Sequence, residues 1–533
     1  MSRIKTILAG LLVLAMLSGL AACDGSNNDN TGSGRITVRL AAPQSAYIED
    51  FDNNLYKLWL EKQTGLKIAM TWLSAADAEQ TAKLALSTGE NLYDAYIGFG
   101  SSSYEVFQQP NIQSYGEQGL IIPLNELIER YGVNTRKLFA ELPEYNIETL
   151  MTSADGNIYF MPGFSASVIT RYRQIMWVNK GWLDELRLRP PATTDEFRDM
   201  LRAFKDKYPG VAPMAGTEAQ YGKQPYDFLF NAFIYNNIEN SRLLLENGRV
   251  GFAPTRDEWR DAMIYMRGLY DEGLYSPFSF TQDDQQFRQM ANDQRDLLGA
   301  FLSPGITLTV YQNSPVMMER YTGIGPLTGP GGVKLSTVFT PIPRPNGVIT
   351  SACRHPEEVF KLFDLMLSEE ACLMGRYGEK GVDWDFAGVN DISIYGTPAT
   401  INIINQLWNT PQNKHLAQIG PYVSRPKYSG GVTWDGNTTD GEYMNAQAAM
   451  FHQDYAPEEY VTALIYTPEE EARIRDIRAA IESHVKGTVV DFITGKRDVH
   501  SDAEWQRYLS EFADLGLAEF LKTAQGVWDR QEK

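Results

Sequence analysis

The sequence predicts an α/β fold built on a parallel, helix-covered sheet. Short runs of strand length alternate with segments whose apolar residues recur at helical spacing, the order expected when helices connect parallel strands. No period of 20–50 residues recurs, which excludes a solenoid. The 533 residues, 43% hydrophobic and 22% charged, have the composition of a globular chain. That length corresponds to roughly two to four domain-sized units.

Arg35 to Ala41 alternates as a strand, and Tyr47 to Thr64 reads as a helix with Phe51, Leu55, Leu58 and Trp59 on one face. Lys67 to Trp72 is a second strand, Asp77 to Ser87 a helix and Tyr93 to Phe99 a third strand. Sheets of this kind bind ligands outside the carboxyl ends of their strands. Phe99, Gly100, Ser101 and Tyr104 are therefore candidate contacts, with an ordinary strand–helix loop as the alternative. Ile158 to Phe164 is a short strand interrupted by Pro162 and Gly163, a candidate crossing segment. Thr193 and Glu196 have capping-box spacing ahead of Phe197, Met200, Leu201 and Phe204. Thr467-Pro468-Glu469-Glu470 repeats that logic, and Ile474, Ile477, Ile481 and Val485 form the stripe behind it. The remaining C-terminal residues read as helical, with apolar faces that need a body to pack on.

The net charge is −19, and residues 1–22 carry only Arg3 and Lys5, so the chain without them stands at −21. That balance disfavours nucleic acid, whose non-specific binding needs Lys and Arg to displace counterions. Arg3 and Lys5 precede an apolar run from Ile7 to Leu17, too short for a membrane span of about 20 residues. Leu20-Ala21-Ala22-Cys23 resembles the lipobox of bacterial lipoproteins. That resemblance implies cleavage after residue 22, acylation of Cys23 and attachment to the membrane through the lipid alone; the alternative is an ordinary secretory signal cut near Ala22. Asp24 to Gly34 holds only Asp, Gly, Ser, Asn and Thr and reads as a flexible tether. Cys353 and Cys372 flank a helical stretch roughly 18 Å long, which separates them beyond disulfide reach and predicts buried thiols.

Enzyme signatures such as GxSxG, HExxH, GxxxxGK[ST] and GxGxxG are absent, and no Cys/His cluster has zinc spacing. The five histidines, His355, His415, His452, His484 and His500, read as surface or capping residues. A carboxylate pair of the kind glycosidases use leaves no sequence spacing to read. The positive signal is aromatic: 10 Trp, 28 Tyr and 24 Phe supply flat faces that stack on sugar rings. Trp384, Trp408 and Trp434 lie in Gly/Asn/Asp-rich loops and are candidate ligand contacts, with loop closure as the alternative. Trp59, Trp177, Trp182, Trp259, Trp505 and Trp528 sit in apolar or helical settings and read as core.

Five segments carry a family resemblance: WVNKGWLDELRLRPPATTDEFRDMLRAFKDKYP from Trp177, GRVGFAPTRDEWRDAMIYMRGLYDEGLYS from Gly248, HPEEVFKLFDLMLSEEA from His355, YGEKGVDWDF from Tyr377 and FITGKRDVHSDAEWQRYLSEFADLGLAEFLKTAQGVWDR from Phe492. In this order behind a lipobox, the chain resembles the extracellular solute-binding proteins of bacterial ABC sugar importers, in the LipO-like lipoprotein branch that is also similar to alginate-oligosaccharide binders. The resemblance implies two α/β lobes, residues 35–160 with 297–350 and residues 161–296 with 351–533, closing by hinge motion on a carbohydrate. It further implies a monomer without catalytic residues or cofactor, delivering its ligand to permease subunits while ATP is hydrolysed elsewhere. The site expected is Phe99, Tyr104, Phe164, Arg171, Trp384, Trp408 and Trp434, with Arg173 beside Arg171. Many relatives carry a calcium-like loop after the helix that Thr193 caps; here Lys205 to Pro213 offers only the Asp206 carboxylate, so no metal is expected there. A secreted carbohydrate-active enzyme and a sugar-sensing or adhesion lipoprotein are the alternative functions.

Overall fold

A computed structural model describes residues 34–100, 104, 106–108, 111–218, 224–311, 313–407 and 410–531. Its strands, in chain order, are β1 (Thr37–Pro43), β2 (Lys67–Leu73), β3 (Ala95–Ile97), β4 (Met161–Ser165), β5 (Ile175–Asn179), β6 (Ala212–Met214), β7 (Leu243–Glu246), β8 (Arg249–Phe252), β9 (Leu298–Ser303), β10 (Tyr321–Ile324), β11 (Arg344–Ile349), β12 (Trp384–Phe386), β13 (Ile401–Ile403) and β14 (Tyr422–Ser424). The first sheet has the order β14-β4-β11-β3-β1-β2 and the second β10-β5-β9-β6, while β7-β8 and β12-β13 form separate pairs. β1 runs parallel to β2 and β3, as the alternating pattern predicts, but β11 enters antiparallel between β3 and β4.

Each sheet anchors its own core, so the molecule has two α/β lobes with extra C-terminal helices on the second. The lobe boundaries expected from the sequence need correction. β9 and β10 pair on either side of β5, with Ser303 opposite Ile175 and Ile324 opposite Met176, which places residues 298–324 in the second lobe. The helix Pro356–Met366 turns Val359, Phe360, Leu362 and Phe363 into the first core, so this segment belongs to the first lobe. Strand pairing and helix burial are long-range facts, and they override sequence adjacency here.

The first helix is shorter than expected, Leu55–Thr64, because the Asn54 side chain accepts the Tyr56 and Lys57 N–H groups and fixes its start; Phe51 is buried from the preceding loop. The predicted caps are present. Thr193 accepts the Glu196 N–H ahead of Thr194–Lys207, and Thr467 and Glu470 close a reciprocal box ahead of Pro468–Thr494. Cys353 and Cys372 are free but half-buried rather than buried. His415 and His452 are buried, not surface or capping residues. At the loop after Thr194–Lys207, the Lys205 ammonium donates to the Glu272 carbonyl and Lys207 pairs with Glu185.

Two chain segments, 166–174 and 325–343, cross directly from one sheet to the other, and a third connection leads from β14 to the helix Gly441–Met450, which packs on β10. Phe339 N–H donates to the Arg171 carbonyl at 2.9 Å, so the crossings are joined to one another. Buried groups then bind the 325–343 crossing to the second lobe, and Asn231 Nδ2 also donates to Gln174 Oε1, at the end of the other crossing, at 3.3 Å. Asn237 Nδ2 donates to the Val338 carbonyl at 3.0 Å, Asn231 Nδ2 to Thr337 Oγ1 at 3.0 Å, and Thr337 Oγ1 to the Asn236 carbonyl at 2.8 Å.

Candidate ligand-binding site

A cavity of about 460 Å³ lies between the lobes. The first lobe contributes Gln108, Phe160 and Pro345; the second contributes Asn240, Ser241, Tyr466, Arg478 and Glu482. Behind it the helix Asn111–Glu117 of the first lobe meets Pro468–Thr494 of the second. A neighbouring cavity of about 270 Å³ shares Thr462 with the first and holds Tyr145, Arg171, Phe339 and Tyr460. Arg171 donates to the Tyr460 hydroxyl there at 3.1 Å.

The second lobe's wall is built by a strained turn. Ser241 and Arg242 have φ of 57° and 60°, left-handed values that cost L-residues about 1–2 kcal/mol each. Arg242 N–H donating to the Asn237 carbonyl at 2.8 Å, and Ala253 N–H to the Arg242 carbonyl at 3.0 Å, hold it. Asn237 also accepts the Glu239 N–H at 3.0 Å, and Asn240 Nδ2 donates to the Val461 carbonyl at 3.0 Å. Asn240 Oδ1 is buried without a hydrogen-bond partner among the described residues, a condition that costs about 1–3 kcal/mol. Ser241 donates to Glu482, Arg478 makes a two-pronged pair with Glu471, and Arg173 pairs with Glu239. Behind the turn the Arg242 guanidinium stands 3.7 Å from Asp227, whose carboxyl burial pushes up to about 6.

The expected site residues divide. Arg171 lies in the smaller cavity. Phe99 is fully buried against Tyr96 and Phe107, and the half-buried Tyr104 packs on it with ring centres 5.3 Å apart. Phe164 is core, with Tyr145 at 5.5 Å. Trp384 is buried with Leu373, Ile401 and Tyr428, its Nε1 donating to the Gly378 carbonyl at 3.0 Å. Trp384 also lines a separate cavity of about 800 Å³, away from the interlobe one, with Leu55, Trp59, Phe386, Glu369 and Lys380. Trp434 is half-buried and stacks on Tyr443 at 4.5 Å, outside both cavities. Trp408, Ser101 and Cys23 fall outside the described residues. Of the residues expected to be core, Trp177, Trp182, Trp259 and Trp505 are buried, and Trp59 and Trp528 are half-buried.

The sequence did not single out Asn240, Ser241, Tyr460, Tyr466, Arg478 and Glu482, which line the two cavities. The cluster Asn236-Asn237-Ile238-Glu239-Asn240 was the available signal, since Asn tolerates the tight turns and side-chain caps seen there.

Residues 40–371 match the model of the family described as bacterial extracellular solute-binding protein. The chain belongs to that family. This solute-binding protein is 26% identical to the fructooligosaccharide ABC transporter substrate-binding protein FusA of Streptococcus pneumoniae serotype 4, over 98% of each chain. It is 24% identical to lipoprotein LipO of Bacillus subtilis, over 69% of this chain and 71% of that one. Its fold matches the solved structure of S. pneumoniae FusA in complex with kestose, with a TM-score of 0.70 at 23% identity, covering 93% of this chain and 99% of that one. Among the described residues, no helix is long and apolar enough to cross a membrane.

Proposed function

We propose that this protein captures an oligosaccharide between its lobes and delivers it to the permease subunits of an ABC importer. In this reading it acts as a monomer held on the outer face of the cell membrane by acylated Cys23. The observation that carries the reading is the cavity walled by both lobes. A ligand touching both walls favours the closed arrangement, and the three connections between the lobes, two of them sheet to sheet, give them a place to hinge. Because buried amides hold Thr337 and Val338 of one crossing, and Asn231 reaches Gln174 at the end of the other, the bend falls on the first-lobe side, around Ser165–Arg171 and Thr340–Pro343. The named ligand of FusA supports a sugar, and the lipoprotein LipO supports the anchor. The protein's task is to bind and release, with no covalent step assigned to it.

A thermal-shift screen of the purified protein against an oligosaccharide panel tests this. Ligand at 100 times Kd stabilises the fold by about 2.7 kcal/mol, so a binding member raises the melting temperature measurably. A panel of neutral and acidic oligosaccharides that leaves the melting temperature unmoved overturns the reading.

A further inference from the structure

Resting on that reading, we infer that the two interlobe cavities form one groove, and that its ligands are linear oligosaccharides longer than a disaccharide. The cavities of about 460 and 270 Å³ are lined by consecutive stretches of the same two chain segments. Where the 325–343 crossing runs into β11, residues 339–341 line the smaller cavity, and 342, 343 and 345 line the larger. In the second lobe, Tyr460 and Thr462 line the smaller cavity, and Thr462 to Tyr466 line the larger. Thr462 borders both, which places the cavities end to end along these segments. Both lobes wall the smaller cavity as well: Tyr145 and Thr149 come from the first and Tyr460 from the second.

The length of the groove gives the ligand class. Residues 461–467 contain no helix or turn. At a strand's rise of about 3.3 Å per residue, the stretch from Tyr460 to Tyr466 spans up to roughly 20 Å, beyond the reach of a disaccharide. The two tyrosines are half-buried, one in each cavity, and aromatic faces stack on sugar rings. Between them the backbone is bonded along one edge. Asn240 Nδ2 donates to the Val461 carbonyl at 3.0 Å and Gln531 Nε2 to the Ala463 carbonyl at 3.0 Å, while Gln531 Oε1 accepts the Ile465 N–H at 2.8 Å. Alternate residues of an extended chain present their backbone groups on opposite edges. The N–H and C=O groups of Thr462 and Leu464 have no hydrogen-bond partner among the described residues, and both residues are half-exposed and line the larger cavity. A sugar hydroxyl both donates and accepts, so it matches either kind of group on that open edge.

The test is titration calorimetry of the purified protein with the disaccharide, trisaccharide and tetrasaccharide of the malto-, cello- and fructo-oligosaccharide series, and with tetraalanine, since an open strand edge also suits a peptide. In the series that binds, the tetrasaccharide should bind at least tenfold more tightly than the disaccharide. Thr149 is exposed at the rim of the smaller cavity, so Thr149→Trp obstructs that end without emptying a core site. It should lower the tetrasaccharide's affinity at least tenfold and leave the disaccharide's as it was. Tyr460→Ala should show the same pattern if the tryptophan variant does not fold. A gain of less than tenfold from disaccharide to tetrasaccharide, or a folded variant that keeps the parent's tetrasaccharide affinity or weakens both sugars alike, overturns the inference and leaves sugar capture standing. Tighter binding of tetraalanine than of any sugar assigns the edge to peptide and overturns it too. No binding by any sugar overturns sugar capture itself, and this inference with it.

Discussion

His452 offers a quantitative test of how the second lobe is held to the crossings. Its ring is buried, with Nε2 at 3.1 Å from the Ile324 carbonyl and Nδ1 at 2.9 Å from Ser336 Oγ. A carbonyl only accepts, so Nε2 carries the proton and Nδ1 accepts the serine hydroxyl, which fixes a neutral imidazole. Burial pushes His452 down to about 4, and His415, whose Nδ1 accepts the Ala417 N–H at 2.9 Å, likewise to about 4. Between pH 6.5 and 4 the unfolded chain binds protons that the folded chain refuses, so stability falls as pH falls through that window. From pH 7 to 5 each histidine should remove about 2 kcal/mol, while Asp227, raised to about 6 and neutral at lower pH, returns about 1 kcal/mol. The perturbation is His452→Gln, read by urea unfolding at pH 7, 6 and 5. The parent should lose more stability on acidification than the variant, by about 2 kcal/mol at pH 5. Equal losses in the two proteins would refute the neutral, buried assignment of His452.

Three further outcomes are expected. Trp384→Ala should cost about 3–5 kcal/mol of stability by emptying a buried site, with sugar affinity in the folded fraction unchanged by calorimetry. Asn237→Ala removes the donor to the Val338 carbonyl and should lower stability by about 1–3 kcal/mol, measured by denaturant unfolding. Cys23→Ser should shift the protein out of the membrane fraction, or leave its leader uncut, by cell fractionation and mass spectrometry.

Local signals were legible and long-range ones were not. The Thr467–Glu470 box and the stripe behind it mark the start and buried face of Pro468–Thr494, because capping and helical spacing are written in consecutive residues. The parallel β1–β2 pairing follows from short strands separated by one helix. The lobe membership of β9 and β10 was not legible, since their partner β5 lies more than a hundred residues earlier. The same limit misdirected the site. Phe99 and Phe164 follow predicted strand positions but turn inward, and Trp384 is enclosed by residues from three separate segments. The placement of Asn240 on the cavity wall was hidden for a different reason: it depends on the left-handed turn after it and on Val461, about two hundred residues away.

The central claim is that one sugar is held by both lobes. A crystal structure of the protein grown with a saturating neutral oligosaccharide from the screen tests it most directly. The account predicts the sugar in the interlobe cavity, with contacts to Gln108 or Phe160 of one lobe and to Tyr466 or Arg478 of the other. A sugar bound to one lobe only, or on an outer face, would contradict it.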